Sequence, residues 1–167
     1  TEQVNMASFA KINSNNIVDQ VIVVADENTE NEAAGIAFLN KVLGDISPFY
    51  WKQTSKHTFH NKHYTGDGST LSADQSKAFR GNGAHIGMTY DSARDAFYKV
   101  QPYASWTFNE SIMDWEAPMA KPDDDAYLIS WVEENTRWEA NKRSEIEDDS
   151  VSPKPVYYWN GSAFVPV

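Results

Sequence analysis

Four histidines are the residues best suited to bind a metal. Three of them stand at three-residue steps, His57, His60 and His63, and His85 follows later. Neutral imidazole is a common ligand for zinc, nickel and iron. The spacing argues against a shared ion. Three-residue steps alternate between the two faces of a strand, and Thr58, Asn61 and Tyr64 disfavour a helix that would gather the rings. No His-Glu-x-x-His pattern occurs. A three-histidine metal site is therefore the lesser reading. The favoured one is a polar loop whose histidines are exposed or contact a neighbouring subunit. The run Asp123-Asp124-Asp125 lacks the alternate ligand spacing of an EF-hand loop and reads as a solvated turn. Gly66-Asp67-Gly68 reads as a turn, since no Gly-x-x-x-x-Gly-Lys-Ser/Thr cradle is present. No Gly-x-Ser-x-Gly elbow is found, and no carboxylate pair stands out for glycoside hydrolysis. No cofactor is expected.

A second group of residues points to packing. Four segments in the second half each carry an aromatic or apolar residue, a polar turn and another aromatic. They span Thr89 to Phe97, Thr107 to Trp115, Trp131 to Trp138 and Tyr158 to Phe164. Each reads as a β-hairpin with large side chains where strand meets turn. The intervals taken as Tyr90 to Phe97, Phe108 to Trp115, Val132 to Trp138 and Trp159 to Phe164 shorten along the chain. That describes a loose repeat, not a strict solenoid period. Cross-strand aromatic pairs hold hairpins together, at about 0.2–1 kcal/mol per pair. Tyr90, Phe97, Trp106, Phe108, Trp115, Trp131, Trp138 and Trp159 are accordingly expected as structural or partner-contact aromatics. The alternative is that some form a glycan- or partner-binding surface.

The elements that position these groups follow from local pattern. Phe9-Ala10-Lys11-Ile12 reads as a strand, Asn13-Ser14-Asn15-Asn16 as a turn, and residues 17–24, rich in β-branched side chains, as a second strand. The longest apolar run, Val21-Ile22-Val23-Val24-Ala25, is expected to be a buried strand. Thr29 and Glu32 fit a capping box that opens a helix. Ala33, Ile36, Ala37, Asn40 and Leu43 continue it, with Phe38, Leu39 and Val42 widening its apolar face. Gly44 suits its end, and Lys41 its dipole. A further strand is expected from Pro48 to Thr54. Residues 55–84 read as a long polar loop with a short helical turn at 72–79. Residues 141–150 read as a solvated helix or a linker, the linker favoured, and 156–167 as a final hairpin turning at Asn160-Gly161. The expected class is α+β, mostly β: an N-terminal strand-strand-helix unit, then a series of antiparallel β-hairpins. The expected segments are 1–84, 85–140 and 141–167.

The composition limits the partners. The chain has 167 residues, 41% of them hydrophobic and 13% aromatic, enough for a packed core. Its formal charge of −10 disfavours nucleic acid and anionic membranes. It has no cysteine, so disulfides, thiolate zinc sites and cysteine nucleophiles are excluded. No stretch approaches the ~20 apolar residues of a membrane span. Thr1-Glu2-Gln3-Val4 shows no secretory signal, and a start at Thr1 would fit loss of an initiator methionine, with Met6 as an alternative start.

Several stretches resemble one family. They are Gly87-Met88-Thr89-Tyr90-Asp91 through Arg94-Asp95-Ala96-Phe97, then Gln101-Pro102-Tyr103-Ala104-Ser105-Trp106-Thr107-Phe108-Asn109-Glu110, then Trp115-Glu116-Ala117-Pro118. The chain resembles small virion proteins of tailed marine phages, cyanophage-type myoviruses in particular. Those read as a tyrosine–aspartate turn, a proline–tyrosine–proline–serine–tryptophan run and a tryptophan–glutamate–alanine–proline ending. Here Ala104 replaces the second proline, and Ile112-Met113-Asp114 stands where a cysteine-containing triplet is common. Phe9 to Val24 and Trp51-Lys52-Gln53-Thr54-Ser55 extend the resemblance over much of residues 6–140. It implies a non-enzymatic structural component of a virion, in capsid, neck or tail, made in the bacterial host cytoplasm. Its expected partners are other virion proteins and further copies of itself. The N-terminal unit would be the folded anchor, and the hairpins would reach neighbours or project outward. The alternative is a carbohydrate-binding or carbohydrate-active module, such as a receptor-binding tail-fibre part that takes a host-surface glycan.

Overall fold

The computed structural model describes residues 6–25 and 28–167. The reading of Thr1-Glu2-Gln3-Val4 falls outside them. The chain is α+β and mostly β, as its patterning predicts. It divides into two units, one of residues 1–100 with 109–114, the other of 101–108 with 115–167.

The first unit is built on a three-stranded antiparallel sheet. Strands β1 (Met6–Ile12) and β2 (Val18–Ala25) form the expected hairpin, and β3 (Tyr50–Thr54) pairs with the other side of β1. The central strand is buried on both faces. Ala7 and Phe9 point to one side, where Val24, Leu39 and Trp51 join them. Ala10 and Ile12 point to the other, against Val18, Met88, Tyr90 and Phe97. Helix α1 (Glu32–Leu43) covers the first face, and β6 (Thr89–Asp91) with β7 (Ala96–Tyr98) cover the second. The intervening β4 (Thr58–Phe59) and β5 (Lys62–His63) form a small hairpin of their own.

Three local expectations change. The helix cap is Asn31, whose side chain accepts from Ala34 N at 2.9 Å, so helix entry lies two residues beyond Thr29. Glu32 is thereby freed from the capping box, and its carboxylate accepts from Gln53 N on β3 at 2.8 Å. The helix buries Gly35 and Leu39, while Val42 (61% exposed) and Leu43 (55% exposed) lie outside the apolar face assigned to them. On the buried face the Phe9 ring occupies the space where any Cβ at position 35 would stand. β2 is an edge strand, with Val23 55% exposed, so the longest apolar run is not a buried strand. A continuous apolar run is also compatible with one free edge, because edge position depends on pairing and not on composition. Gly44 does end the helix, at φ +82°, with its N–H on Asn40 O.

Residues 55–84 are more structured than a loop. His60 (φ +50°) and Asn61 (φ +63°) make the two-residue, left-handed turn that hairpins favour, joining Phe59 to Lys62. Residues 72–79 hold no helix. Ser72 and Asp74 side chains instead accept from Asp74 N and Ser76 N, and these local bonds compete with a helical turn.

The second unit carries a four-stranded antiparallel meander: β10 (Tyr127–Val132), β11 (Arg137–Lys142), β12 (Tyr157–Trp159) and β13 (Phe164–Pro166). One face bears Tyr127, Ile129, Trp131, Trp138, Ala140 and Tyr157, as the pairing register requires. The sheet curls, because Tyr127 on the first strand stacks on Phe164 of the last, with centroids 4.3 Å apart. In place of a linker, β11 runs to Lys142 and a one-turn helix α2 (Arg143–Ile146) follows. That turn is held from outside: Tyr157 donates to Glu145, and Lys154 donates to the Glu145 and Asp148 carbonyls. The remaining hairpin, β8 (Thr107–Asn109) with β9 (Asp114–Glu116), has its turn in the first unit and its legs divided at Phe108 and Trp115.

All four expected hairpins form, and their turns share one length. The loops 92–95, 110–113, 133–136 and 160–163 each hold four residues. In the first three, the fourth loop residue is left-handed: Asp95 (φ +46°), Met113 (φ +52°) and Thr136 (φ +46°). The register corrects the shortening of the intervals. Trp138 pairs with Trp131, not Val132, so Tyr90–Phe97, Phe108–Trp115 and Trp131–Trp138 are all seven residues apart. The fourth pair, Trp159–Phe164, sits one step nearer its turn.

Candidate functional site

The aromatic positions are the strongest candidates, and the hairpin turn explains their arrangement. A four-residue loop flanked by one strand pair brings residues i and i+7 to opposing positions on one face. Ring centroids are then 5.1 Å apart in Tyr90–Phe97 and Trp131–Trp138 and 5.2 Å apart in Phe108–Trp115; the i, i+5 pair Trp159–Phe164 also lies at 5.2 Å. The rings meet edge-on or tilted, the arrangement their quadrupoles favour. Tyr90, Phe97, Trp131 and Trp138 are buried, and Trp106, Phe108, Trp115 and Trp159 are half-buried. None of the eight is exposed.

In the second unit Trp106 joins the third pair. Its ring meets Trp131 at 6.1 Å, Trp138 at 5.9 Å and Tyr103 at 5.5 Å. Glu133, the first residue of the turn, ties this cluster together. Its carboxylate accepts from Ser105 N, Ser105 Oγ and Trp131 Nε1 at 2.6–2.9 Å. The bonds from Ser105, then the one from Trp131, hold its carboxyl below the usual range. Trp138 Nε1 donates to Met119 O, and the Lys121 ammonium lies 5.9 Å from the Trp138 ring. Trp106 Nε1 is buried without a hydrogen-bond partner among the described residues.

In the first unit the Tyr90–Phe97 pair continues into a polar network. Tyr90 Oη donates to Asp95 Oδ1, and Arg80 reaches the same carboxylate at 2.7 Å. Arg80 also donates to Glu32 at 3.0 Å and to Gln53 O at 2.9 Å. Burial would lower the Arg80 pKa, but its bonds to Asp95 and Glu32 outweigh that and raise it. Burial, with the Asp95 bond, pushes the Tyr90 phenol up to about 12. Burial favours neutral Asp95, yet bonds from Tyr90 and Arg80 leave its pKa lowered. The neighbouring turn is closed by Arg94, which grips Glu110 with two nitrogens at 2.6–2.9 Å and Asp91 at 2.6 Å. The Arg94 bond is the main reason the Asp91 carboxyl falls to about 2.

The histidines separate. The His57 and His63 rings meet at 6.1 Å, and the Ser55 hydroxyl lies 3.4 Å from His63 Nδ1. Burial, then the neighbouring His57, lowers the His63 pKa. His60 occupies the turn, stacks on Phe59 at 3.7 Å and sets Nε2 3.2 Å from Asp114 Oδ2. His85 is exposed, and His57, His60 and His63 are half-buried. The left-handed turn causes the separation, since it rotates residue 60 away from its neighbours. Among the described residues, no three His, Cys, Asp or Glu side chains are placed to hold a metal ion. A small cleft of about 160 Å³ lies nearby, lined by Thr58, Phe59, Asn82, His85, Lys99 and Asp114. A wider, open hollow of about 540 Å³ in the second unit includes Asp123, Asp124 and Asp125. All three are exposed, and Asp124 Oδ1 caps its own turn by accepting from Ala126 N at 2.9 Å, consistent with the solvated-turn reading.

Arg80 and Glu133 were not singled out by sequence, and Glu32 was assigned to a capping box instead of to Arg80 and the sheet edge. A polar residue inside an irregular stretch carries no periodic signal, and its partners lie 15–48 residues away. No known protein family, curated protein or solved structure matches the chain.

Proposed function

We propose that this chain is a non-enzymatic structural component of a phage virion, in capsid, neck or tail, that makes subunit–subunit contacts. One observation carries the reading: three hairpins use the same four-residue turn and the same aromatic clamp seven residues apart. The repeated clamp adds a brace within each hairpin to whatever packs on it from outside, which suits short β units joined by proline-bearing links. A single hairpin is marginal in water, and such clamps supply about 0.5–1.5 kcal/mol beyond burial. The resemblance of residues 6–140 to virion proteins of tailed marine phages supports the same role.

The aromatic geometry weighs against the glycan-binding alternative. A sugar platform needs exposed rings in one plane, whereas Trp106, Trp131 and Trp138 cross at 64–83° and none is exposed. The test is mass spectrometry of purified particles together with localisation of the chain at residue resolution. The chain is expected at a stoichiometric copy number, in contact with neighbouring subunits. A chain absent from particles and monomeric in isolation would refute the role.

A further inference from the structure

The two edges of the N-terminal sheet are treated differently. On the outer side of β3, Gln53 N donates to Glu32 and Gln53 O accepts from Arg80, so side chains occupy both backbone groups of that residue. On β2 only the first residue is occupied: Val18 N donates to Met88 O, and Val18 O accepts from Gly87 N. From Gln20 to Ala25 the outer edge makes no backbone hydrogen bond among the described residues. Folded proteins usually blunt such edges with charge, proline or cover. Gln20-Val21-Ile22-Val23-Val24-Ala25 has neither charge nor proline, and Val23 is 55% exposed.

We propose that the outer edge of β2 docks β2 of a second copy, antiparallel across a two-fold axis, so that the sheet continues through both subunits. Unused backbone donors and acceptors in a row select an extended strand as the occupant. The sequence of β2 suits itself. Antiparallel pairing centred on Ile22 sets Val21 opposite Val23 of the partner subunit, Gln20 opposite Val24 of the partner subunit, and Asp19 opposite Ala25 of the partner subunit. No like charges meet, and β-branched side chains face each other, which stabilises cross-strand pairs. Two chains of formal charge −10 repel each other, and this uncharged stretch is a place where they can approach at low electrostatic cost. The choice of a second copy as occupant rests on the subunit-contact role proposed above.

The chain has no cysteine, so a single introduced thiol reports cleanly. Val23→Cys and a control, Ser162→Cys in the exposed β12–β13 turn, are treated with a short bis-maleimide. Self-pairing predicts a dimer by light scattering and a crosslinked dimer from Val23→Cys but not from the control. Val23→Lys, checked for native circular dichroism, should lose the dimer, and mixing it with Val23→Glu should restore a heterodimer. A monomer at every concentration, a dimer that survives Val23→Lys, or equal crosslinking from both cysteines would overturn the pairing. Particle proteomics reads the virion role separately: a chain present in particles that never crosslinks through position 23 fails only the self-pairing.

Discussion

Replacing Arg80 should destabilise the first unit more than any other charge deletion in it. The Arg80 side chain is 12% exposed, and its three groups donate to Asp95, Gln53 O and Glu32 at 2.7, 2.9 and 3.0 Å. Breaking a buried ion pair costs about 3–5 kcal/mol when the partner stays buried. Here the partners are wetter, with Glu32 30% and Asp95 59% exposed, so much of that cost is screened. The Gln53 carbonyl loses a charged donor, worth about 1.5–3 kcal/mol. The sum points to a loss of roughly 2–4 kcal/mol for Arg80→Ala, and a fall in Tm of roughly 5–15 °C. Position 80 has φ +53°, and alanine, lysine and arginine share that backbone cost, so it cancels among these variants. Lysine cannot reproduce the planar fork, and Arg80→Lys should recover less than half of the loss. Urea unfolding at neutral pH, followed by tryptophan fluorescence and circular dichroism, measures both. A double-mutant cycle with Glu32→Gln should be non-additive by more than about 0.5 kcal/mol. An Arg80→Ala loss below about 1 kcal/mol, or full rescue by lysine, would refute the view that this fork holds helix, sheet and turn together.

Three further outcomes follow from local geometry. Thr136, a β-branched residue at φ +46°, closes the β10–β11 turn, and Thr136→Gly should raise stability by roughly 0.5–1 kcal/mol in calorimetry, because relief of left-handed strain exceeds the added chain entropy. Gly35→Ala should cost about 1–3 kcal/mol in urea unfolding, since the new Cβ would overlap the Phe9 ring, and Phe9→Leu in the same chain should recover part of it. The Asp91 carboxyl, at about 2 in the folded chain, sits below its unfolded value of about 3.9, so its stabilisation is complete above the unfolded value and disappears as pH falls toward 2. Melting temperatures from pH 5 down to 2 should therefore drop less steeply in Asp91→Asn than in the parent chain.

Much of the fold was legible because it depends on local pattern. The ββ hairpin at the N-terminus, the helix ending at Gly44 and all four aromatic hairpins follow from β-branched runs, turn residues and alternation. What was misread lay one step beyond local pattern. Thr29 and Glu32 satisfy the capping-box template, yet Asn31 caps the helix while Glu32 serves the sheet edge, a competitor that only exists once β3 is in place. The run at 141–150 looked like a linker because its polar composition has no apolar face, and Tyr157 and Lys154, distant in sequence, hold the turn of helix within it. The first hairpin, grouped by sequence with its repeats, shares the core of the N-terminal sheet, since Tyr90 and Phe97 pack on Ala10 and Ile12.

By itself the sequence determined most of the strands and the turns of the aromatic hairpins, because those depend on backbone preferences within a few residues, although it missed the short hairpin of β4 and β5. Tertiary structure alone decided which edge of the sheet is closed and which is free. That choice depends on where Arg80 and Glu32 arrive in space, and no spacing within β2 or β3 encodes it.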